Sequence, residues 1–166
     1  MEEKNEEIKA IWNKRYNNFL TILVVICIVV FIIQKIFCIS FVNGNSMFPT
    51  LKNGQIITAN RSCKSLNRND IILFYPGNKG VFSEIFIKRI VGTPGDTVQI
   101  IDGYLYVNEE KIEDGFQLME SPGIAANPIT LSENQYFVLG DNRNYSNDSR
   151  KIGTISKDKI IAVVNQ

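Results

Sequence analysis

The sequence predicts a mainly β domain preceded by a single N-terminal transmembrane helix. Two observations support this prediction. One long apolar run lies near the N-terminus, and the rest of the chain carries short runs of β-branched and aromatic residues separated by turn signals. The length of 166 residues suits one domain with a short appendage, and a hydrophobic share of 45% is ordinary for a chain with a packed core.

The apolar run starts at Phe19, is interrupted by Gln34 and Lys35, and resumes as far as Ile39. In a helix, residues 19–39 extend about 30 Å, which matches the hydrocarbon core of a bilayer. A cleaved signal peptide is an alternative, but its polar lead-in would be long, and no small-x-small site follows the run. A buried helix of a soluble protein is less favoured, because nothing else in the chain is large enough to surround it. We therefore expect a membrane anchor over residues 19–39.

The flanking charges predict how this anchor is oriented. The basic residues before the run are Lys4, Lys9, Lys14 and Arg15. The other flank offers little beyond Lys35. By the positive-inside rule, residues 1–18 are a cytoplasmic segment and residues 40–166 form an extracytoplasmic domain. Residues 1–17 are expected to form a short polar helix of their own.

The domain after the anchor reads as a succession of strands. The predicted strands are QIITA (55–59), DIILFY (70–75), EIFIKRIVG (84–92), TVQII (97–101), YLYVN (104–108) and YFVLG (136–140). Asp102-Gly103 lies between two of these runs and is a strong signal for a two-residue hairpin. Residues 113–135 are rich in Gly, Pro, Asn and Ser and are expected to be irregular.

The composition excludes several classes of function. Lys plus Arg is 18 and Asp plus Glu is 17, and this near-balance argues against a nucleic-acid partner. Histidine is absent, which excludes Ser-His-Asp, Cys-His and imidazole-metal chemistry. The cysteines Cys27, Cys38 and Cys63 form no CxxC pair, and a Cys38–Cys63 bridge is left open as an alternative. We expect neither a metal nor a cofactor.

A candidate nucleophile follows the anchor in the segment FVNGNSMFPTL. Gly44 frees the backbone next to Ser46, and Pro49 stiffens the turn that follows. A serine on such a turn is exposed enough to act as a nucleophile. The same pattern also fits an ordinary β-turn with a surface serine.

Without histidine, a serine hydroxyl needs another base, and Lys88 is the best candidate. Strand alternation puts Phe86, Lys88 and Ile90 on one face, which favours burial of the lysine, while Arg89 points to the other face. Burial lowers a lysine pKa, and at an ordinary pKa of about 10.4 only about one lysine in 2,500 is neutral at pH 7. The alternative is an exposed lysine on an edge strand.

The segment LGDNRNYSNDSRKIG, residues 139–153, concentrates short polar side chains. Asp148 can pair with an arginine such as Arg89, Arg143 or Arg150. A serine in this segment can orient a buried lysine. A solvated connecting loop is the alternative.

Taken together, these segments resemble the type I signal peptidases, the membrane-anchored Ser/Lys leader peptidases of bacteria, in a form similar to the Gram-positive members. The matching motifs are Ser46-Met47-x-Pro49-Thr50-Leu51, Lys88-Arg89-Ile90-x-Gly92-x-Pro94-Gly95-Asp96 and Gly140-Asp141-Asn142-Arg143-x-x-Ser146-x-Asp148-Ser149-Arg150. Gly54 and Asn69-Asp70-Ile71 fit a quieter motif between the first two. The resemblance implies a catalytic core of coiled antiparallel sheets. Residues 97–139 leave no room for a large accessory insertion, so residues 113–135 are expected to form a reduced cap.

The resemblance also implies roles for individual residues. Ser46 is the nucleophile and Lys88 the general base, and Ser146 is expected to hydrogen-bond the lysine. The Ser46 amide is one oxyanion donor, and Gly44 occupies the position where some members carry a second donor on a serine side chain. The remaining expected roles are a supporting salt bridge between Asp148 and Arg89, structural roles for Pro49, Asp141 and Arg150, and substrate pockets lined by Val42, Leu51 and Ile87.

The implied substrate is a secreted preprotein, cut after a small-x-small sequence and bound as an extended strand. The implied partners are preprotein signal peptides, membrane lipid and a secretion translocon. Alternatives are a specialised peptidase of the same family with one dedicated substrate, and an inactive membrane-anchored scaffold. A Ser/Lys self-cleaving repressor shares the chemistry, but the anchor and the lack of a DNA-binding segment argue against it.

Overall fold

The computed structural model describes residues 2–77 and 84–165. It separates into an N-terminal unit, Met1–Phe37, and a second unit, Cys38–Gln166. The first unit is almost entirely helical, and the second contains nearly all of the β structure. The predicted mainly β fold with one N-terminal apolar helix is therefore confirmed.

The N-terminal unit is one continuous helix, α1, Glu2–Ile36. Its portion Trp12–Ile36 is long and apolar enough to cross a membrane, and the most apolar 18-residue window within it has a mean hydropathy of 2.9. The polar residues predicted to be helical over 1–17 are helical from Glu2 onward, and they continue directly into the apolar segment as part of the same helix. The helix also ends earlier than the predicted anchor over 19–39. Strand β1, Phe37–Phe41, starts there, since FCISF alternates exposed and half-buried side chains with the period of a strand.

The second unit contains two sheets. The larger has seven strands in the order β1-β2-β11-β3-β4-β9-β10, and the smaller has four in the order β7-β6-β5-β8. The strands after β1 are β2 Ile56–Asn60, β3 Ile71–Phe74, β4 Phe86–Gly92, β5 Thr97–Ile101, β6 Tyr104–Val107, β7 Glu110–Lys111, β8 Ile129–Thr130, β9 Gln135–Leu139, β10 Ile155–Ser156 and β11 Ile160–Val164. The pairings whose register is described are all antiparallel.

Each predicted strand corresponds to an observed one, within a residue or two at its ends. The Asp102-Gly103 hairpin is confirmed, because Ile101 pairs with Tyr104 and both turn residues have positive φ, at 50° and 79°. The important omission is β11, which sits between β2 and β3 in the larger sheet. The run IIAVV is short and has no turn signal beside it, so its sequence does not show that it forms a strand inside the sheet. Its pairing with β2 and β3 gives it that position.

Strand β4 is packed from several sides. Val91 belongs to a hydrophobic cluster with the smaller sheet, Ile90 to a cluster with β9 and β11, and Ile87 packs against a third cluster that contains Met47. A strand held by all three clusters is rigid, so side chains on it have fixed directions. All three cysteines are free, which excludes the Cys38–Cys63 bridge in this structure.

Candidate active site

Ser46 lies on the connection between β1 and β2. Backbone hydrogen bonds close this connection at its base, from Gly54 N to Val42 O at 2.8 Å, and again after the serine, from Leu51 N to Met47 O at 2.9 Å. Met47 is 1% exposed and anchors the turn in the core. Ser46 itself is half-buried, so its hydroxyl is held in place and still reachable.

Lys88 lies on β4, paired with Ile72 of β3, and is 4% exposed. Its Nζ is 2.8 Å from Ser46 Oγ and donates to Ile87 O at 3.0 Å. The ammonium also lies 5.1 Å from the centre of the Phe86 ring, as expected for residues on one face of the strand. The structure therefore brings the predicted nucleophile and the predicted base into hydrogen-bonding contact.

The surroundings of Lys88 favour its neutral form. Burial lowers its pKa from an ordinary 10.5 to about 8, and the carboxylates of Asp148, Glu84 and Asp141 partly oppose this shift. With a pKa of about 8, about one lysine in ten is neutral at pH 7, against about one in 2,500 for an unburied side chain. The site therefore supplies a usable base near neutral pH.

Arg89 pairs with Asp141 and not with Asp148, which corrects the predicted pairing. Its Nε and Nη2 donate to the two carboxylate oxygens of Asp141 at 2.8 and 2.6 Å. Strand register explains the choice, because Arg89 lies opposite Leu139 on β9 and Asp141 follows Leu139 by two residues. The Asp141 carboxylate also accepts from Thr50 Oγ1 at 2.5 Å, so the pair contacts the turn that carries the nucleophile.

Asp148 pairs instead with Arg150. Nε and Nη2 of Arg150 each donate to the carboxylate at 2.8 Å, and Gly140 N donates to it at 3.1 Å. Asp148 is also the N-cap of the short helix α2, Ser149–Ile152. Asp148 caps the helix, and Arg150 lies only two residues later, so the two side chains meet within one turn. The Asp148 carboxylate is therefore satisfied without an arginine from β4.

Ser146 does not make the hydrogen bond to Lys88 that the resemblance implied. Its Oγ is buried and has no hydrogen-bond partner among the described residues. Gly140 lies against it, since a Cβ at Gly140 would overlap the Ser146 side chain and would come within 2.5 Å of Ser46 O. Gly140 therefore allows the close approach of the two serine-bearing segments.

Gly44 has a φ of +92°, and its amide donates to Asn53 Oδ1 at 2.8 Å. That amide is therefore already used and is not a free oxyanion donor in this structure. Of the expected pocket residues, Val42 and Ile87 line the cleft beside Ser46, together with Phe41, Glu84 and Tyr145.

Leu51 is placed differently from the prediction. It is buried in the cluster of Val42, Met47 and Ile57 and is not among the described residues that line the cleft. Its hydrogen-bonded turn directs it into the core, so its role here is packing. Pro49 follows a cis peptide bond with Phe48 on the same turn.

The sequence placed Asn142 and Arg143 in a motif but did not predict the contacts by which they hold the site together. Asn142 N donates to Ser46 O at 3.0 Å, and Asn142 Nδ2 donates to Asn45 O at 3.1 Å. Arg143 is 1% exposed and donates to Asp114 at 2.6 Å. Asp114 lies in the stretch predicted to be an irregular cap, where no local pattern marks a contact with Arg143. In the described ranges, no group of three or more His, Cys, Asp or Glu side chains has the arrangement of a metal site.

The fold and the site define a class of protein. Residues 15–166 match the family described as signal peptidase, peptidase S26, and the chain belongs to this family. It is 32% identical to signal peptidase I T of Bacillus subtilis, over 96% of this chain and 90% of that protein. It is 30% identical to signal peptidase IB of Staphylococcus aureus, over 83% of this chain and 81% of that protein. A solved signal peptidase I from Enterococcus faecalis is 31% identical, with a TM-score of 0.48, and covers 63% of this chain and 100% of that one.

Proposed function

We propose that this protein is a membrane-anchored endopeptidase that removes signal peptides from secreted preproteins, with Ser46 as nucleophile and Lys88 as general base. The observation that carries the proposal is the 2.8 Å contact between Ser46 Oγ and the buried Lys88 Nζ. A serine and a desolvated amine in contact are the minimum needed for acyl transfer without histidine.

The chemistry follows from this pair. Neutral Lys88 accepts the hydroxyl proton while Ser46 Oγ attacks the scissile carbonyl, and the resulting ammonium then gives that proton to the leaving amine. An ester between Ser46 and the signal peptide remains. Lys88, neutral again, takes a proton from the water that attacks the ester, and it returns that proton to Ser46 Oγ as the signal peptide leaves. Lys88 thus serves first as base and then as acid in each of the two steps.

The oxyanion that forms during attack needs donors. The Ser46 amide is the first, by its position on the nucleophile itself. The Gly44 amide donates a hydrogen bond to Asn53 Oδ1, so it acts as an oxyanion donor only if it exchanges that hydrogen bond for one to the substrate.

Ser146 completes the set of supporting residues. Its Oγ has no partner among the described residues and is available to the Lys88 ammonium as the reaction proceeds.

The substrate is an extended peptide with small side chains at the first and third positions before the cut. Its path is the cleft beside Ser46, which residues at the end of β1 and at the start of β4 line. Val42 and Ile87 reach this cleft, and both are apolar, which suits small aliphatic side chains.

Helix α1 is the anchor, with its N-terminal end in the cytoplasm and the β domain outside. The supporting observations are its apolar portion, Trp12–Ile36, and the lysines and arginine that precede this portion or lie within its first turn. Membrane lipid and a secretion translocon are the partners this arrangement implies, because a signal peptide reaches the enzyme from the membrane.

The test is cleavage of a preprotein with an Ala-x-Ala site by the full chain in detergent, with the cut position read by mass spectrometry. Wild type is expected to cut after the second Ala, and Ser46→Ala and Lys88→Met are expected not to. The exposed residues Ser62 and Lys52 offer matched controls, and Ser62→Ala and Lys52→Met should cut like wild type.

Other outcomes separate the alternatives. If Ser46→Ala cuts as fast as wild type, the nucleophile assignment is wrong. If wild type leaves a panel of preproteins uncut but cuts one of them, the enzyme has a dedicated substrate. If wild type cuts none of them, the inactive scaffold becomes the better account.

A further inference from the structure

Phe116 lies between the guanidinium groups of two arginines near the candidate site. Its ring centre is 5.7 Å from Arg89 Cζ and 4.8 Å from Arg143 Cζ. Both distances are within the range in which a cation is attracted to an aromatic face. The ring is half-buried, so these contacts are only partly screened by water. A single side chain from the predicted cap therefore contacts two cations of the larger sheet region.

The segment that carries Phe116 also contacts Arg143 through a hydrogen bond from Arg143 to Asp114. Phe116 N donates to Asp114 Oδ1 at 3.1 Å, and Asp114 Oδ2 accepts from Arg143 Nη2 at 2.6 Å. Arg143 is 1% exposed, and its Nε has no hydrogen-bond partner in the described part of the chain. The ring and the carboxylate are thus the main compensation for burying this charge. The segment 114–116 is consequently fixed to the motif that follows β9.

Arg89 connects Phe116 to the reacting groups. It follows Lys88 directly on β4, and it donates two hydrogen bonds to Asp141 and one to Asn69 O. The residue after Asp141 is Asn142, whose amide donates to Ser46 O. The orientation of Arg89 therefore affects both the strand that carries the base and the loop that holds the nucleophile.

We propose that Phe116 is a positioning residue for the Ser46–Lys88 pair, acting through Arg89 and Asp141. This inference rests on the proposed peptidase function. The ring holds the Arg89 guanidinium against the Asp141 carboxylate, and this pairing offsets the negative charge of Asp141 near Lys88. The role is not chemical, since Phe116 is not among the described residues that line the cleft with Ser46 and Lys88.

The charge balance around Lys88 gives the proposal a measurable consequence. The charged groups that act on it are Asp148, which is paired with Arg150, and the carboxylates of Glu84 and Asp141. Without the ring, Arg89 keeps its hydrogen bonds but loses one contact that orients its guanidinium, so its pairing with the Asp141 carboxylate is weaker. A less fully neutralised carboxylate favours the ammonium form of Lys88, so the pKa of Lys88 rises. The neutral base then appears only at higher pH.

The experiment compares Phe116→Ala, Phe116→Leu and Phe116→Tyr with wild type and Ser46→Ala, using full-length protein in detergent. Leucine keeps apolar bulk but has no aromatic face, and tyrosine keeps the face. We expect the alanine and leucine variants to lose about tenfold in kcat with little change in KM, as for one lost cation–π contact. Their kcat–pH profiles should move to higher pH, and tyrosine should restore both properties.

A direct titration keeps the result independent of activity. The rate at which a small acylating reagent modifies Lys88, followed by peptide mass spectrometry across pH, reports its pKa in each variant. Urea unfolding of each variant corrects kcat for any unfolded fraction.

Several results overturn the proposal. It is wrong if leucine performs like wild type, if the loss of kcat only follows the unfolded fraction, or if the Lys88 titration is the same in all variants. If wild type itself cuts no preprotein, the proposed function fails, and the Lys88 titration alone then decides whether Phe116 controls the pair.

Discussion

Ser46 Oγ and Lys88 Nζ are 2.8 Å apart, although the residues are separated by 42 positions along the chain. The proposed nucleophile is held by a turn whose Met47 is buried in the core, and the proposed base is held by a strand inside the larger sheet. Neither the turn nor the strand is held in place by the contact between the hydroxyl and the amine. The two groups are therefore already in place before a substrate binds, which reduces the entropic cost of the first step.

The rate of preprotein cleavage should rise with pH through about 8. Burial lowers the pKa of Lys88 to about 8, and only its neutral form accepts the serine proton. We expect kcat/KM to increase about tenfold per pH unit below this value and to level off above it. Initial rates between pH 6 and pH 10 would measure this. A profile that is flat from pH 6 to pH 9 would exclude Lys88 as the base.

Replacing Lys88 should stabilise the protein near neutral pH while abolishing cleavage. The pKa of Lys88 is lower in the folded protein, about 8, than its ordinary value of 10.5. The unfolded chain therefore binds more protons between these values, and this residue's contribution makes the free energy of unfolding rise as pH increases from about 8 to 10.5. Below pH 8 the buried amine costs about 3 kcal/mol, which Lys88→Met removes.

Urea unfolding of wild type and Lys88→Met at pH 7 and at pH 11 would test this. The variant should be more stable at pH 7, and wild type should regain most of the difference at pH 11. The exposed Lys52→Met is the control and should show no such pH dependence. A constant difference at both pH values would show that the effect is not due to lysine protonation.

Arg89 should be energetically coupled to Asp141 and not to Asp148. The Asp141 carboxylate is fully buried and receives two hydrogen bonds from Arg89, whereas Asp148 is satisfied by Arg150. Double-mutant cycles with Arg89→Gln, Asp141→Asn and Asp148→Asn are expected to give about 2 kcal/mol for the first pair and under about 0.5 kcal/mol for the second.

The exposed pair Lys111 and Glu113, 3.8 Å apart, provides the reference for these cycles. Its coupling should be about 0–0.5 kcal/mol. Coupling of Arg89 to Asp148 as strong as its coupling to Asp141 would favour the pairing predicted from the sequence over the one in the structure.

Gly140→Ala should damage the site more than the fold. The added Cβ would lie 2.5 Å from Ser46 O, a backbone atom, and would overlap the side chain of Ser146. Relieving such an overlap typically costs about 1–3 kcal/mol, and here the loop that carries the nucleophile is the part that must move. Loss of cleavage with a folded protein, shown by circular dichroism and urea unfolding, is the expected result.

Gly77→Ala is the matched control for this change. A Cβ at Gly77 meets no atom of the described residues within 4 Å, and the φ of Gly77 lies outside the left-handed region. If Gly140→Ala cleaves as fast as Gly77→Ala, the close approach of the segments around Gly140 is not needed for catalysis.

Local patterns predicted the secondary structure well. Runs of β-branched and aromatic residues between turn signals identified the longer strands after β1 apart from β11, and Asp102-Gly103 identified a hairpin, because both signals lie within a few neighbouring residues. They failed where the decision depends on distant partners. Phe37–Phe41 is as apolar as the helix before it, and its pairing with β2 makes it a strand. Residues 160–164 likewise owe their central place to β2 and β3.

Site residues show the same division. Ser46 and Lys88 were candidates from their local sequence, with an ordinary turn and an exposed lysine left as alternatives, and the resemblance to the type I signal peptidases implied their roles. The partners of Arg89 could not be chosen, because Asp141 and Asp148 are both carboxylates in one polar segment. Register between β4 and β9 makes the choice.

The sequence by itself therefore determined the helix and most of the strands and supplied the candidates for the reacting side chains, since these depend on local patterns and on which chemical groups are present. Only the tertiary structure decided that Arg89 meets Asp141, that Leu51 packs in the core, and that Phe116 lies between Arg89 and Arg143. The physical reason is that such contacts depend on strand register and packing between distant segments. The residue types alone do not specify strand register or the packing of distant segments.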